Sequence, residues 1–284
     1  MAAAMRLSLN FTLPGAAPER AAEPGRSPDA VTAPLTPQDL EALLWHSRRA
    51  GFASAWHGHV AFAHWLVQAM RPRVVVELGT HHGVSYASFC HAVAARGLTT
   101  RCFAVDTWLG DAQAGAYGED VYADLKRFND AYYSGFSILL RCTFDEALQR
   151  FPDQRVDLLH IDGQHGYEMV RHDFETWLPK LTDQAVVLFH DTAVREPTFG
   201  VWRLWDELRQ QYPSFAFEHG YGLGVLAVGR TPAPPVAALC ALASAEEIAR
   251  VRACMAHFSE LARTSALQQL ELGQLREKLK SDAE

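Results

Sequence analysis

No stretch of the 284-residue chain runs for about 18 uncharged apolar residues, the least a membrane-spanning helix needs, so no such span is expected. Cysteine is scarce. Cys90, Cys102, Cys142, Cys240 and Cys254 make an odd number with no Cys-x-x-Cys pair. That excludes a disulfide framework and a structural zinc site as the organising device, and it fits a cytoplasmic protein kept reduced. Positive charge is in deficit: 26 Lys+Arg against 33 Asp+Glu give a net charge of −7. A nucleic-acid partner would leave a basic footprint, so none is expected. An early Arg6 is not followed by an apolar stretch long enough for a signal peptide. What remains is ordinary globular material, 49% apolar and 21% charged, with enough length for a real core.

Proline and glycine divide the chain. Pro14, Pro18, Pro24, Pro28 and Pro34 break residues 1–35 into a segment that buries little, which we read as a disordered leader. Thr36-Pro37-Gln38-Asp39 then carries a helix start, with Thr36 as N-cap and Pro37 in the first turn. Residues 36–230 read as one domain. A Pro/Ala stretch, 231–243, reads as a linker, and 244–284 as a helical, oligomerising segment opened by the capping box Ser244-x-x-Glu247. Its apolar residues recur mostly at spacings of three and four, which points to self-association into a homo-oligomer.

Within the domain, short β-rich runs alternate with helical stretches. The runs are 74–78, 102–106, 137–140, 156–162 and 185–191, with two more at 215–218 and 224–228 flanking the turn His219-Gly220-Tyr221-Gly222. Nearly continuous apolar runs suit strands covered on both faces. The pattern predicts an α/β fold: a Rossmann-like, doubly wound, mostly parallel seven-stranded sheet with a C-terminal antiparallel hairpin and a C-terminal helix.

In such sheets ligands bind beyond the carboxyl ends of the strands. Glu77, Asp106, Asp162 and Asp191 stand at or near four of those ends. Clustered carboxylates repel one another unless a ligand, hydrogen bonds or a metal compensates. The first strand runs into Gly79-Thr80-His81-His82-Gly83-Val84-Ser85. This is Gly-x-x-x-Gly, neither the dinucleotide fingerprint nor a phosphate loop. A carboxylate at Asp106 can accept both ribose hydroxyls of an adenosine, and the missing pyrophosphate cradle points to an adenosine without phosphates.

Val76-Glu77-Leu78-Gly79-Thr80-His81-His82-Gly83 resembles the first motif of class I S-adenosylmethionine (SAM)-dependent methyltransferases, and Val105-Asp106-Thr107-Trp108 their acidic second motif. Leu159-His160-Ile161-Asp162-Gly163 with His165, Tyr167 and Glu168, and Leu188-Phe189-His190-Asp191-Thr192, resemble the later motifs of a small-molecule O-methyltransferase branch. That branch holds macrolide-sugar and cephalosporin-pathway enzymes, and similar domains occur beside bacterial glycosyltransferases. The resemblance implies SAM as cofactor and transfer of its methyl group to a hydroxyl of a sugar or glycosylated small molecule. It implies that Gly79 and Gly83, with Thr80 and Ser85 in the same loop, shape the turn under the methionine part. Glu77 would hold the amino-acid end, Asp106 the ribose, and Trp108 and Thr143 would flank the adenine. Asp162, His190 and Asp191 match a divalent-metal position, with Mg or Mn the implied ion. His190 departs from the oxygen ligands usual there. His165, three residues after Asp162, matches a general base, with Asp162 and Asp191 as the other implied catalytic groups. The chemistry agrees, since a sugar hydroxyl must lose its proton to attack a methyl sulfonium and histidine titrates near neutrality.

Two other readings compete. A nicotinamide dehydrogenase is disfavoured by the missing Gly-x-Gly-x-x-Gly and by the terminal hairpin. A catalytically weak SAM-fold scaffold, tethered to a glycosyltransferase or an oligomer, is disfavoured by the intact motifs. Aromatics crowd residues 108–136, and the long segment 110–134 offers a cover for an acceptor.

Overall fold

The computed structural model describes residues 36–46, 48–111 and 115–281. The expected leader, 1–35, lies outside the described residues. Seven strands form one sheet: β1 (Val74–Leu78), β2 (Arg101–Asp106), β5 (Ser137–Arg141), β6 (Val156–Ile161), β7 (Leu181–His190), β8 (Ser214–Phe217) and β9 (Leu223–Ala227). A two-stranded ribbon, β3 (Gly110–Asp111) with β4 (Gly115–Ala116), follows β2. The sheet order is β5-β2-β1-β6-β7-β9-β8. The first five strands run parallel, and β9 enters antiparallel between β7 and β8. The order reverses between β1 and β6, so the open crevice lies over those two strand ends.

Alternation along the strands builds two cores. Val75, Leu158 and Val186 face α2 (Val60–Met70) and α3 (Val84–Ala95), joined there by buried residues of α4 (Glu119–Tyr132), α8 (Pro234–Cys240) and α9 (Ala245–Ser281). Val76, Leu159 and Val187 face α6 (Tyr167–Trp177) and α7 (Val201–Leu208), with α5 (Phe144–Leu148) beside them. Both faces are covered, which is why these strands read as unbroken apolar runs.

The expected helix start is present. Thr36 and Asp39 form a reciprocal capping box on α1 (Pro37–Leu43). The expected linker needs correction, because α8 occupies residues 234–240 of it and Val236 is fully buried. Pro234 and Pro235 sit in the first turn of that helix, where a missing N–H costs nothing, so prolines that read as a linker begin a helix instead. In α9 the first half packs down: Met255, Ser259, Ala262 and Ala266 are buried, and Ser259 Oγ accepts a hydrogen bond from the Ala61 N–H at 3.1 Å. Beyond Ala266 the leucines 267, 270, 272, 275 and 279 are exposed. Among the described residues no helix is long and apolar enough to cross a membrane.

Candidate active site

Two adjoining cavities open over the ends of β1, β2 and β6. The larger, about 310 Å³, is lined by Gly79, Asp106, Thr143, Phe144, Met169 and Asp173, among others. The smaller, about 150 Å³, lies between the Gly79 loop, Ser54–Trp56 and His165. Gly79, Thr80, His81, Tyr117, Asp162 and Gly163 border both.

Gly79 makes the approach of strands possible. Its φ is +85°, and a Cβ there would lie 2.1 Å from the carbonyl oxygen of Asp162. Only glycine tolerates that crossing of the β1 and β6 ends. Gly83 borders the smaller cavity, but its Cα faces the Leu125 side chain, which a Cβ would meet at 2.6 Å. Thr80 and Ser85 are buried at the cavity wall.

Asp106 is committed to the backbone. Its Oδ2 accepts from the N–H groups of Thr80 (2.8 Å) and His81 (3.0 Å), and its Oδ1 from that of Trp108 (2.7 Å). A carboxylate offers about four lone pairs, so the three bonds leave about one for a ligand hydroxyl rather than a free carboxylate for two. Asp106 therefore holds the Gly79 loop in shape as well as bordering the cavity. Trp108 is placed differently from expectation: it is 1% exposed, donates its indole N–H to the His81 carbonyl at 3.0 Å, and lies outside both cavity walls. Its positive φ, +51°, turns the chain inward and buries the ring against Tyr122. Thr143 borders the larger cavity while its hydroxyl caps α5. Among the described residues of 110–134 most lie in α4, with Leu125 and Asn129 buried, while Gly110 and Tyr117 border the cavities and Tyr117 stacks on His81 at 4.4 Å.

Glu77 and His160 are register partners on β1 and β6, both fully buried on the α2–α3 face. Trp56 Nε1–H donates to His160 Nε2 (3.1 Å), and His160 Nδ1 lies 2.8 Å from Glu77 Oε2. The indole can only donate, so Nε2 is the acceptor and Nδ1 carries the hydrogen given to Glu77. Burial raises the pKa of Glu77, and the His160 contact opposes that rise. Ser85 also hydrogen-bonds the Glu77 carboxylate and opposes the rise. Glu77 is expected at the amino-acid end of the cofactor, yet it is fully buried and lies outside both cavity walls, where it braces β1 against β6.

At the β6 and β7 ends, four side chains converge. His165 Nε2 lies 2.8 Å from Asp191 Oδ2, and the His165 ring stacks on Phe199 at 4.5 Å. His190 Nδ1 lies 3.2 Å from Asp162 Oδ1 and 3.4 Å from Asp191 Oδ1, while its Nε2 lies 2.9 Å from the Gly220 carbonyl. Burial opposes charge on His190, but Asp162 and Asp191 outweigh it and hold its pKa well above the ordinary range. His190 holds Asp162, and His165 together with His190 holds Asp191, below the usual carboxylate range despite their burial. Asp191 leaves β7 with φ +61°, a turn that aspartate tolerates and that brings its carboxylate back toward His165. Asp162, His190 and Asp191 are thus adjacent as expected, but the trio whose donor atoms lie within 4.8 Å of one another is Asp162, His165 and Asp191.

Several wall residues carried no motif. Met169, His172 and Asp173 share one face of α6, where an i, i+3, i+4 spacing was the available signal, and His172 reaches Asp145 at 2.9 Å across the rim. Burial raises Asp173 to about 7. Trp56 precedes the first strand, where nothing local marks it.

Residues 76–192 match a family described as "Methyltransferase domain". The chain is 55% identical over 186 residues to the uncharacterized protein y4gI of Sinorhizobium fredii, an alignment covering 66% of this chain and 20% of that protein. The chain thus spans about a fifth of that relative's length. Among solved structures it is similar to the SAH-bound methyltransferase PaMTH1 of Podospora anserina (TM-score 0.48, 12% identity, 67% of this chain and 87% of that one). It is also similar to a methyltransferase of Geobacter sulfurreducens (TM-score 0.44, 15% identity, 59% and 76%).

Proposed function

We propose that this chain is a SAM-dependent O-methyltransferase whose acceptor is a hydroxyl of a small molecule, a sugar or glycoside foremost. The observation that carries the reading is the 2.8 Å contact of His165 with Asp191 beside the Gly79 loop. A carboxylate only accepts, so Nε2 of His165 carries the hydrogen and Nδ1 is the basic nitrogen of the ring. The larger cavity suits an adenosine, with Asp106 at its floor and Phe144 and Met169 in its wall. The smaller one, bordered by Trp56, Tyr117 and His165, suits the acceptor, since aromatic faces pack on sugar rings.

SAM supplies an electrophilic methyl on a sulfonium and leaves as the neutral thioether. The chain's part is to take the acceptor's hydroxyl proton on the His165 imidazole while the carboxylate of Asp191 stabilises the imidazolium so formed. Glu77 braces His160 and the base of the Gly79 loop from the buried layer below. The test is calorimetric titration with S-adenosylhomocysteine and with NAD, followed by labelled methyl transfer into a library of sugars and glycosides. Binding of the first ligand alone, with label entering an acceptor, supports the reading. Binding of NAD alone returns the dehydrogenase, and S-adenosylhomocysteine binding without transfer to any acceptor favours the scaffold.

A further inference from the structure

Resting on the methyl-transfer reading, we propose that the carboxyl of Asp173 recognises the adenine of the cofactor, accepting from its amino group and donating to the ring nitrogen beside it.

Asp173 stands on α6 one turn after Met169, and both border the larger cavity. The residue is 6% exposed, yet among the described residues no group donates a hydrogen bond to its carboxyl. The charges that act on it are those of His172 on its own helix and Asp145 on α5. These two satisfy each other, His172 Nε2 lying 2.9 Å from Asp145 Oδ1 across the rim. The other titratable groups of the cavity wall are also engaged. Asp106 takes three backbone N–H groups, Asp162 faces His190, and His81 stacks on Tyr117. Asp173 is the carboxyl left over. A polar group buried without a partner is costly, and one that opens on a cavity is accounted for by what enters it.

The surroundings suit a flat heterocycle. Phe144 and Met169 give the cavity apolar walls. The Phe144 ring is seated against the end of β6, where a Cβ on Gly163 would meet it at 2.5 Å. A nucleoside whose ribose meets Asp106 has its base to place among Phe144, Met169 and Asp173, with apolar groups for its faces and a carboxyl for its edge.

The protonation state fits that edge. Burial pushes the Asp173 carboxyl up to about 7, so below neutrality it keeps its proton, and a bonded ring nitrogen extends that range upward. A neutral carboxyl offers one O–H donor beside one carbonyl acceptor. Adenine presents the complement, an amino group next to an acceptor nitrogen. An ionised carboxylate could only accept, and would set its own lone pairs against that of the ring nitrogen.

The experiment titrates the full chain calorimetrically with S-adenosylhomocysteine and with its purine analogue, in which hydrogen replaces the amino group. Wild type is expected to bind the analogue about fivefold or more weakly, the worth of one buried hydrogen bond. Asp173→Ala should lose about tenfold in affinity for S-adenosylhomocysteine and bind the two ligands within about twofold of each other. Asp173→Asn, whose amide offers the donor and acceptor of the neutral carboxyl, should restore affinity to within about threefold of wild type. Between about pH 7 and 9, wild-type affinity should fall relative to Asp173→Asn by up to about tenfold per unit, because only the aspartate must take up a proton to bind. Both proteins share His172, Asp145, Asp106, Asp162 and His81, so the titration of those groups cancels in the comparison. An unchanged affinity in Asp173→Ala would overturn the proposal, as would an equal loss of both ligands, which marks a structural residue. Should the variants fold poorly, wild type alone decides: equal affinity for the two ligands overturns the proposal. Failure of wild type to bind S-adenosylhomocysteine removes the methyl-transfer reading and the proposal together, whereas tight binding indifferent to the amino group removes the proposal alone.

Discussion

Asp191 holds His165 at 2.8 Å while its other carboxylate oxygen lies 3.4 Å from His190. One carboxylate therefore contacts two imidazoles, and in the function proposed above it orients the His165 ring as the base. The sharing explains why Asp191 is buried, ionised and placed just off the end of the strand.

His160→Ala should destabilise the fold more than an apolar truncation would. It leaves the Trp56 indole N–H without its acceptor and Glu77 Oε2 without the His160 hydrogen, both in a fully enclosed layer. Each orphaned group costs roughly 1–3 kcal/mol, so a loss of about 2–6 kcal/mol is expected. Thermal melts should register it as a drop in Tm of about 5–15 °C, with weaker binding of S-adenosylhomocysteine because Glu77 is no longer held. A melt within a degree of wild type would remove the relay from the account.

Asp106→Ala should weaken S-adenosylhomocysteine binding at least about tenfold, since a charge-assisted hydrogen bond is worth roughly 1.5–3 kcal/mol. The three backbone N–H groups on Asp106 add a second effect: the Gly79 loop loses its clamp. Limited proteolysis should find new cleavage between residues 79 and 85, and the melt should fall. Lost affinity with an unchanged melt and cleavage pattern would mean that Asp106 touches ligand alone.

Asp173 makes stability fall with pH. Burial holds it at about 7 in the folded chain, against about 3.9 when unfolded. The folded state therefore keeps its proton through the window between those values while the unfolded state has lost it. Stability is greatest at the acid end and declines as pH rises through the folded value, by at most a few kcal/mol. Asp173→Asn should flatten that slope and raise Tm at about pH 8 relative to wild type. An identical pH profile for the two proteins would contradict this.

Removing the chain after Ala266 should leave the melt nearly unchanged, whereas removing it after Arg230 should unfold it. The shorter cut spares Met255, Ser259 and Ala262, while the longer strips these and Val236 from the core. We propose that the exposed leucines beyond Ala266 pair with a second copy, so light scattering of the shorter truncation should show a lower mass than the full chain. Equal masses would remove that pairing.

The sheet was legible because its strands are covered on both faces and end in chemically distinctive residues. Val156–Ile161 is buried at every position, and a run of that kind admits few other readings. The hairpin was legible from Gly220 and Gly222. What escaped was set by distance in sequence. The relay joins Trp56 to His160 across 104 residues, and nothing near Trp56 announces it. Trp108 reads as a ligand platform from its motif, yet a positive φ turns it into the core, and backbone angles of that kind are not written in residue type alone. Pro234 and Pro235 read as a linker because proline opens helices and interrupts them with the same composition.

The most direct test compares methyl transfer with cofactor affinity in His165→Ala, using wild type as reference. The account predicts that kcat falls by about 10²–10⁴, the usual worth of a general base, while the affinity for S-adenosylhomocysteine stays within about twofold. Asp191→Asn should reproduce the direction of that split, because an amide misorients the imidazole. A His165→Ala enzyme that keeps near-normal kcat, or that loses affinity and thermal stability together without a specific loss of turnover, would contradict the assignment of His165 as the base.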